Sequence, residues 1–165
     1  MAHIVLDRKI EPHRILAITL TNKAAPEMRE RLTKIAGPTS RSMWVMTFHA
    51  FCVRVLRREA ELMGYSPSFS IYDEDDRKRM MASVIAGLGI DPKRFPASTF
   101  VGRISSAKNE LVTPEQYAKS ADTPPEKMTA EVYPEYERRL LQANAMDFDD
   151  LLLNAVRLFE EHPDA

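Results

Sequence analysis

The sequence predicts a partial α/β layer followed by a mainly α-helical domain. Two short apolar runs, residues 15–20 and 43–48, each lead into a segment whose apolar residues recur at helical spacing. From Asp73 onward the strand signal disappears, and capped helical segments follow one another. Eleven Pro against five Gly place turns between helices rather than hairpins.

The first run, Ile15-Leu16-Ala17-Ile18-Thr19-Leu20, reads as a strand buried on both faces, as in parallel sheets. Thr21 or Asn22 offers an N-cap for a helix over about residues 23–35. Pro26 is tolerated because it lies in the first turn, and Gly37-Pro38 ends the helix. Residues 43–48 form the second strand. After it Phe51, Cys52, Val55, Leu56, Ala60 and Met63 repeat at helical spacing, with Arg54, Arg57 and Arg58 towards the other face and Gly64 as terminator. Strand–helix–strand–helix over 15–64 is too little sheet for a finished α/β domain.

In the second part Asp73 caps a helix with Met81, Val84, Ile85 and Leu88 on its apolar face, ended by Gly89. Ser98 caps the next, with Phe100, Ile104, Ala107 and Leu111 on one side. Thr113-Pro114-Glu115-Gln116 is a capping box with Pro at the first helical position, and Thr123-Pro124-Pro125-Glu126 repeats it. The helix that follows reaches Asn144 and is expected to kink or restart near Pro134. Asp147 starts the last helix, with Asp150 in its first turn and Met146 and Leu151 as a hydrophobic staple; Pro163 ends it.

Composition narrows the function classes. At 44% hydrophobic and 28% charged, the chain is expected to fold and not to be disordered. Its single cysteine, Cys52, has no internal disulfide partner, which points to a reducing cytoplasmic setting. Neither a signal pattern at the start nor an apolar run of about 20 residues points to export or a membrane. The net charge of −1 hides an asymmetry: residues 1–72 hold eleven Lys/Arg against six Asp/Glu, while residues 73–165 hold twelve against eighteen. A polyanion would meet the front half.

Two strand-to-helix junctions are candidate sites. At Thr19-Leu20-Thr21-Asn22-Lys23, hydroxyls, free helix N–H groups and one ammonium share a turn, an arrangement suited to phosphate. Thr47-Phe48-His49 has the same design, with Phe48 and Phe51 able to stack a base. Either junction alone is equally a capped turn without a ligand. Two of them in a parallel sheet open on the same side, at the carboxyl ends of the strands, and Arg54, Arg57 and Arg58 lie behind the second. The acidic run Asp147-Phe148-Asp149-Asp150 is expected to be cap and dipole partner, since its carboxylates should not converge on a metal. His3, His13 and His162 lack ligand spacing, and Cys52 falls on an apolar helix face. The sequence contains neither a Gly-rich phosphate loop ending in Lys-Ser/Thr nor a strand ending in Asp-Glu, so no catalytic residues are assigned and ATP hydrolysis by this chain alone is not expected.

Taken together, these segments resemble UvrD/Rep/PcrA-type superfamily 1 ATP-dependent DNA helicases. Residues 15–28 resemble motif Ia, residues 47–52 motif Ib and residues 146–152 motif Ic; residues 104–114 look like part of the helical insertion called domain 1B. The resemblance runs in order over nearly the whole chain. It implies an internal piece of a helicase cut between its two ATP-site motifs. Residues 1–64 would be part of the RecA-like, P-loop NTPase domain 1A, residues 65–145 domain 1B, and residues 146–165 the returning helix of domain 1A. It further implies that Thr19, Thr21, Asn22, Lys23, Thr47, Phe48 and His49 contact DNA, at a single strand or a single-strand/duplex junction. The intact parent would work 3′ to 5′ with ATP and Mg2+, in DNA repair or replication in the bacterial cytoplasm, with the remaining helicase domains as partners. Leu20 and Met46 depart from the pattern, standing where the family has Phe and Gly; without that Phe, stacking of about 1–3 kcal/mol per base is lost at position 20. A second class of function, a helical protein-interaction module without DNA affinity, is suggested by the acidic capped helices after Asp73.

Overall fold

The computed structural model describes residues 8–164, so His3 lies outside the described residues. The chain divides into two compact units, Met1–Arg54 and Val55–Ala165. Each contains its own two-stranded parallel sheet.

In the first unit a 3-10 turn, Pro12–Arg14, leads into β1 (Leu16–Thr19). Helix α1 (Ala24–Ala36) and a second 3-10 turn (Pro38–Ser42) return the chain to β2 (Trp44–Thr47), and α2 (Phe48–Arg58) starts at once. The strands run parallel with Leu16 opposite Trp44 and Thr19 opposite Thr47. Both are shorter than predicted, because Leu20 is turned out to 87% exposure and Phe48 already belongs to the helix.

The expected burial of β1 on both faces does not hold. Ala17 and Thr19 are buried, but Leu16 is 44% exposed. Only one face is packed: Ile15, Ala17, Leu32, Met43 and Val45 form a buried cluster with Met28 against it. The Arg29 guanidinium fastens α1 to β2 by donating to the Val45 carbonyl at 2.5 Å. The N-cap predicted at Thr21 or Asn22 falls on Lys23, which makes no side-chain capping bond. Thr21 still contributes, since its Oγ1 accepts the Ala24 N–H at 3.2 Å. Gly37 ends α1 at φ 74°, a left-handed dihedral that a Cβ would strain.

The second unit is mostly helical. After a 3-10 turn (Ala60–Met63) comes β3 (Ser70–Tyr72), then α3 (Glu74–Gly87), α4 (Ala97–Asn109), α5 (Pro114–Ser120), α6 (Pro124–Gln142), β4 (Ala145–Asp147) and α7 (Phe148–Glu161). Strand β4 corrects the expectation that strands end before Asp73. It pairs in parallel with β3, Ser70 opposite Ala145 and Tyr72 opposite Asp147. Asn144, at φ 47°, makes the turn into β4, and its side-chain amide exchanges hydrogen bonds with the Ser66 N–H (2.9 Å) and hydroxyl (2.6 Å).

The core of this unit is the buried set Met81, Val84, Ile85, Phe100, Val101, Ile104, Ala107, Val132, Tyr133, Tyr136, Leu140 and Ala145. The predicted faces of α3 and α4 therefore pack as expected, apart from their last members. Leu88 (43% exposed) and Leu111 (46% exposed, φ 58°) lie beyond the helix ends, where the 3.6-residue period no longer holds. Capping boxes at Asp73, Thr113 and Asp147 are formed, and Glu126 accepts the Thr123 N–H at 2.9 Å. Ser98 is not a cap. Pro96, with extended dihedrals, takes that position and α4 begins one residue before Ser98. Helix α6 continues through Pro134 without restarting. Among the described residues, no helix is long and apolar enough to cross a membrane.

Candidate nucleic-acid interface

The parallel register places the two predicted junctions side by side. Thr19 and Thr47 are Cα partners in the last register pair of the first sheet. Both are nearly buried, at 8% and 9% exposure. Their hydroxyls also organise the turns. Thr19 Oγ1 donates to the Thr21 carbonyl at 3.2 Å, and Thr47 Oγ1 accepts the Ala50 N–H at 3.3 Å, an N-cap bond on α2. Thr21, Asn22 and Lys23 are exposed on the first turn. Phe48 (48% exposed) and His49 are exposed at the start of α2. Each junction thus presents polar side chains at the amino end of a helix, where the dipole favours an anion. All seven predicted contact residues lie at these two strand–helix junctions.

The three arginines behind the second junction each have a protein partner. Arg54 stacks over the Trp44 ring with its carbon 3.8 Å from the centroid. Arg57 lies 5.2 Å over Phe69. Arg58 pairs with Glu59 at 2.9 Å. Stacking fixes the first two guanidiniums without cancelling their charge, whereas the third, largely exposed, shares its charge with a neighbouring carboxylate.

The acidic run at the start of α7 forms the predicted cap and makes a buried contact that was not foreseen. Asp147 and Asp150 exchange capping bonds, Asp147 Oδ1 accepting the Asp150 N–H at 2.9 Å and Asp150 Oδ2 accepting the Asp147 N–H at 3.0 Å. They do converge, because the buried ammonium of Lys108 lies 2.6 Å from Asp150 and 3.2 Å from Asp147. Glu137 on α6 pairs with the same nitrogen at 2.7 Å. Asp149 diverges to Arg77 at 2.9 Å, and Arg77 Nε stands 3.5 Å from Asp147. The Tyr136 hydroxyl donates to Asp147 at 3.0 Å; burial pushes that phenol well up and keeps it protonated.

The charges in this hub follow from their neighbours. Burial opposes the ionised Asp147 carboxyl, but Lys108, the Asp150 N–H and Arg77 outweigh it and hold the group below its ordinary range. Burial opposes the Lys108 ammonium, and the three carboxylates override it. For Asp150 and Glu137 burial wins and both are pushed up. The run is therefore a structural tie with its carboxylates already engaged by cations, which sets it apart from a metal cage. Lys108, Arg77, Tyr136 and Glu137 were not singled out in the sequence. The available signal was Lys108 itself, four residues after Ile104 on the apolar face of α4. Cys52 is a core residue at 4% exposure whose thiol burial pushes up, unlike a reactive nucleophile.

The whole chain, residues 1–165, matches the profile of the UvrD/REP helicase N-terminal domain. It is 40% identical over 164 residues to the "ATP-dependent DNA helicase PcrA" of Bacillus subtilis (strain 168). It is 42% identical over the same length to proteins of that name from Staphylococcus epidermidis (strain RP62A) and Staphylococcus aureus (strain Mu50). In each case the match covers 99% of this chain and 22% of the relative. The chain belongs to the UvrD/REP helicase family and corresponds to its N-terminal domain.

Proposed function

We propose that this chain is the DNA-contacting segment of an ATP-dependent DNA helicase working 3′ to 5′ in repair or replication. Thr19, Thr21, Asn22, Lys23, Thr47, Phe48 and His49 hold the backbone of a single strand, near its junction with duplex. The observation that carries this reading is the pairing of Thr19 with Thr47, which joins two anion-favouring helix starts into one continuous edge. The relatives' printed name and the family match support the activity of the larger protein. Residues 1–64 and 146–165 are assigned to a RecA-like domain 1A and residues 65–145 to domain 1B. The β3–β4 pairing brings the start and the end of the helical run between them to neighbouring strands, although β3 itself falls inside residues 65–145. The remaining helicase domains would complete the enzyme, in the bacterial cytoplasm.

ATP and Mg2+ belong to that larger protein. The residues of this chain do not fit them: it has no Gly-rich phosphate loop, and Asp147, Asp149 and Asp150 are held by Lys108 and Arg77.

The test is fluorescence anisotropy of a labelled single-stranded oligonucleotide against a matched duplex, at two salt concentrations. Binding that prefers the single strand or a forked end and falls steeply with salt is expected. A folded chain that binds neither, while retaining a protein partner after residues 1–50 are deleted, would instead establish the helical interaction module.

A further inference from the structure

The Lys108 hub holds more carboxylates than its cations can balance. Lys108 on α4 serves Asp147, Asp150 and Glu137. Arg77 on α3 is shared among Asp147, Asp149 and Glu74. Arg77 donates to Asp149 and stands 3.5 Å from Asp147; even with its charge counted towards Asp147, Asp150 and Glu137 share one ammonium. Two buried carboxylates beside one cation favour keeping a proton on one of them.

The donors around each oxygen identify which one. Asp147 receives the Asp150 N–H on Oδ1 and the ammonium and the Tyr136 hydroxyl on Oδ2, with Arg77 Nε 3.5 Å away as an ion pair that makes no hydrogen bond. Asp150 receives the ammonium on Oδ1 and the Asp147 N–H on Oδ2. Neither has an oxygen without a donor, and a donor at each oxygen favours the ionised form. Glu137 meets the ammonium at Oε1. Its side chain retains 27% exposure and lines a cleft of about 350 Å³ with Thr113, Glu115, Tyr133 and Arg157. Oε1 is buried and makes no hydrogen bond despite its contact with the ammonium, and the partial exposure of the side chain lets a proton on the carboxyl exchange with water.

We propose that Glu137 carries the odd proton of this hub and exchanges it through the cleft, so that the helical unit loses stability when the proton leaves. The other facing groups do not remove the effect. Arg157 on α7 favours the ionised form but is already paired with Glu161 at 3.1 Å. Tyr133 and Tyr136 on α6, and Tyr65 before β3, are phenols that burial keeps neutral. Burial likewise favours a neutral Glu137. The inference concerns the helical unit alone and does not depend on the DNA reading.

The sign follows by linkage. A carboxyl whose value is raised on folding contributes stability that is present below its unfolded value, about 4.3, and is lost as pH rises through the folded value. The experiment is a carbon-detected NMR titration of the Glu137 carboxyl in the labelled 165-residue chain, with the signal assigned through bonds so that no variant is needed. Thermal midpoints of the wild type and E137Q are followed over the same pH range. Glu137 is expected to titrate above the ordinary glutamate range, with the wild type losing midpoint relative to E137Q as pH rises through that titration. A Glu137 titration at or below the ordinary value, or a raised titration belonging to Asp150 instead, overturns the proposal. Should E137Q fail to fold, the titration alone decides.

Discussion

The Nζ of Lys108 lies 2.6 Å from Oδ1 of Asp150, with the two side chains at 0% and 1% exposure. This contact joins the end of α4 to the first turn of α7 through 42 residues of sequence separation. Breaking such a pair leaves an uncompensated buried charge. K108M should therefore destabilise the helical unit by about 3–5 kcal/mol, measured by urea unfolding. Adding D150N should recover part of that loss. A loss below about 1 kcal/mol would show that the hub is dispensable.

Acid should weaken the same unit through Asp147. Its carboxyl is held below its ordinary range, so its contribution is present above the unfolded value, about 3.9, and is lost as pH falls through the folded value. Thermal midpoints should drop on the acid side in the wild type and drop less in D147N. Identical acid limbs would assign the loss to other carboxylates.

The exposed turn after β1 offers a direct check of the DNA reading. Asn22 and Lys23 are exposed, so replacing both with Ala should leave the circular dichroism spectrum unchanged. Single-strand affinity should fall, and the slope of log affinity against log salt should shrink by about 0.7, the value for one lost phosphate contact on a single strand. Unchanged affinity and slope would remove this turn from the interface.

Phe48 separates stacking from charge. Half exposed at the first position of α2, it has a ring able to meet a base. F48A should weaken single-strand binding by about 1–3 kcal/mol and leave the salt slope as it was. A steeper or shallower slope at constant affinity would mean that Phe48 only shapes the turn.

The turn before β3 should be sensitive in a different way. Gly64 has φ 78°, and a Cβ there would meet only Leu141 Cδ1 at 3.8 Å, so space is not the obstacle. G64A should still cost about 1–2 kcal/mol from the left-handed backbone alone, read from the urea midpoint. A neutral result would mean that the turn relaxes to negative φ.

The strand–helix junctions were legible because an apolar run followed by a 3.6-residue period has few alternative readings. The seven contact candidates were chosen at those junctions, and the structure places them at the strand ends and helix starts there. The second sheet was not legible. Strands of three residues, Ser70–Tyr72 and Ala145–Asp147, are too short for any period to show. The hub was missed for another reason. A lysine on a helix is normally assigned to solvent, and only the partners brought by α6, β4 and α7 make Lys108 a core residue. Ser98 misled because capping propensity favours serine, whereas Pro96 had already set the extended dihedrals of the cap.

The β3–β4 pairing also bears on the order of folding. Ser70 meets Ala145 across 75 residues of chain, so the pairing requires closure of a long loop for only three residues of ladder. Helices α3 to α6 form from local contacts and must condense before that closure is favourable. Until then β3 has an unsatisfied edge. Synthesis on the ribosome delivers Ala145 last of the pair, leaving that edge waiting while about seventy residues emerge. The helical unit is therefore most open to mispairing in the interval just before Ala145 emerges.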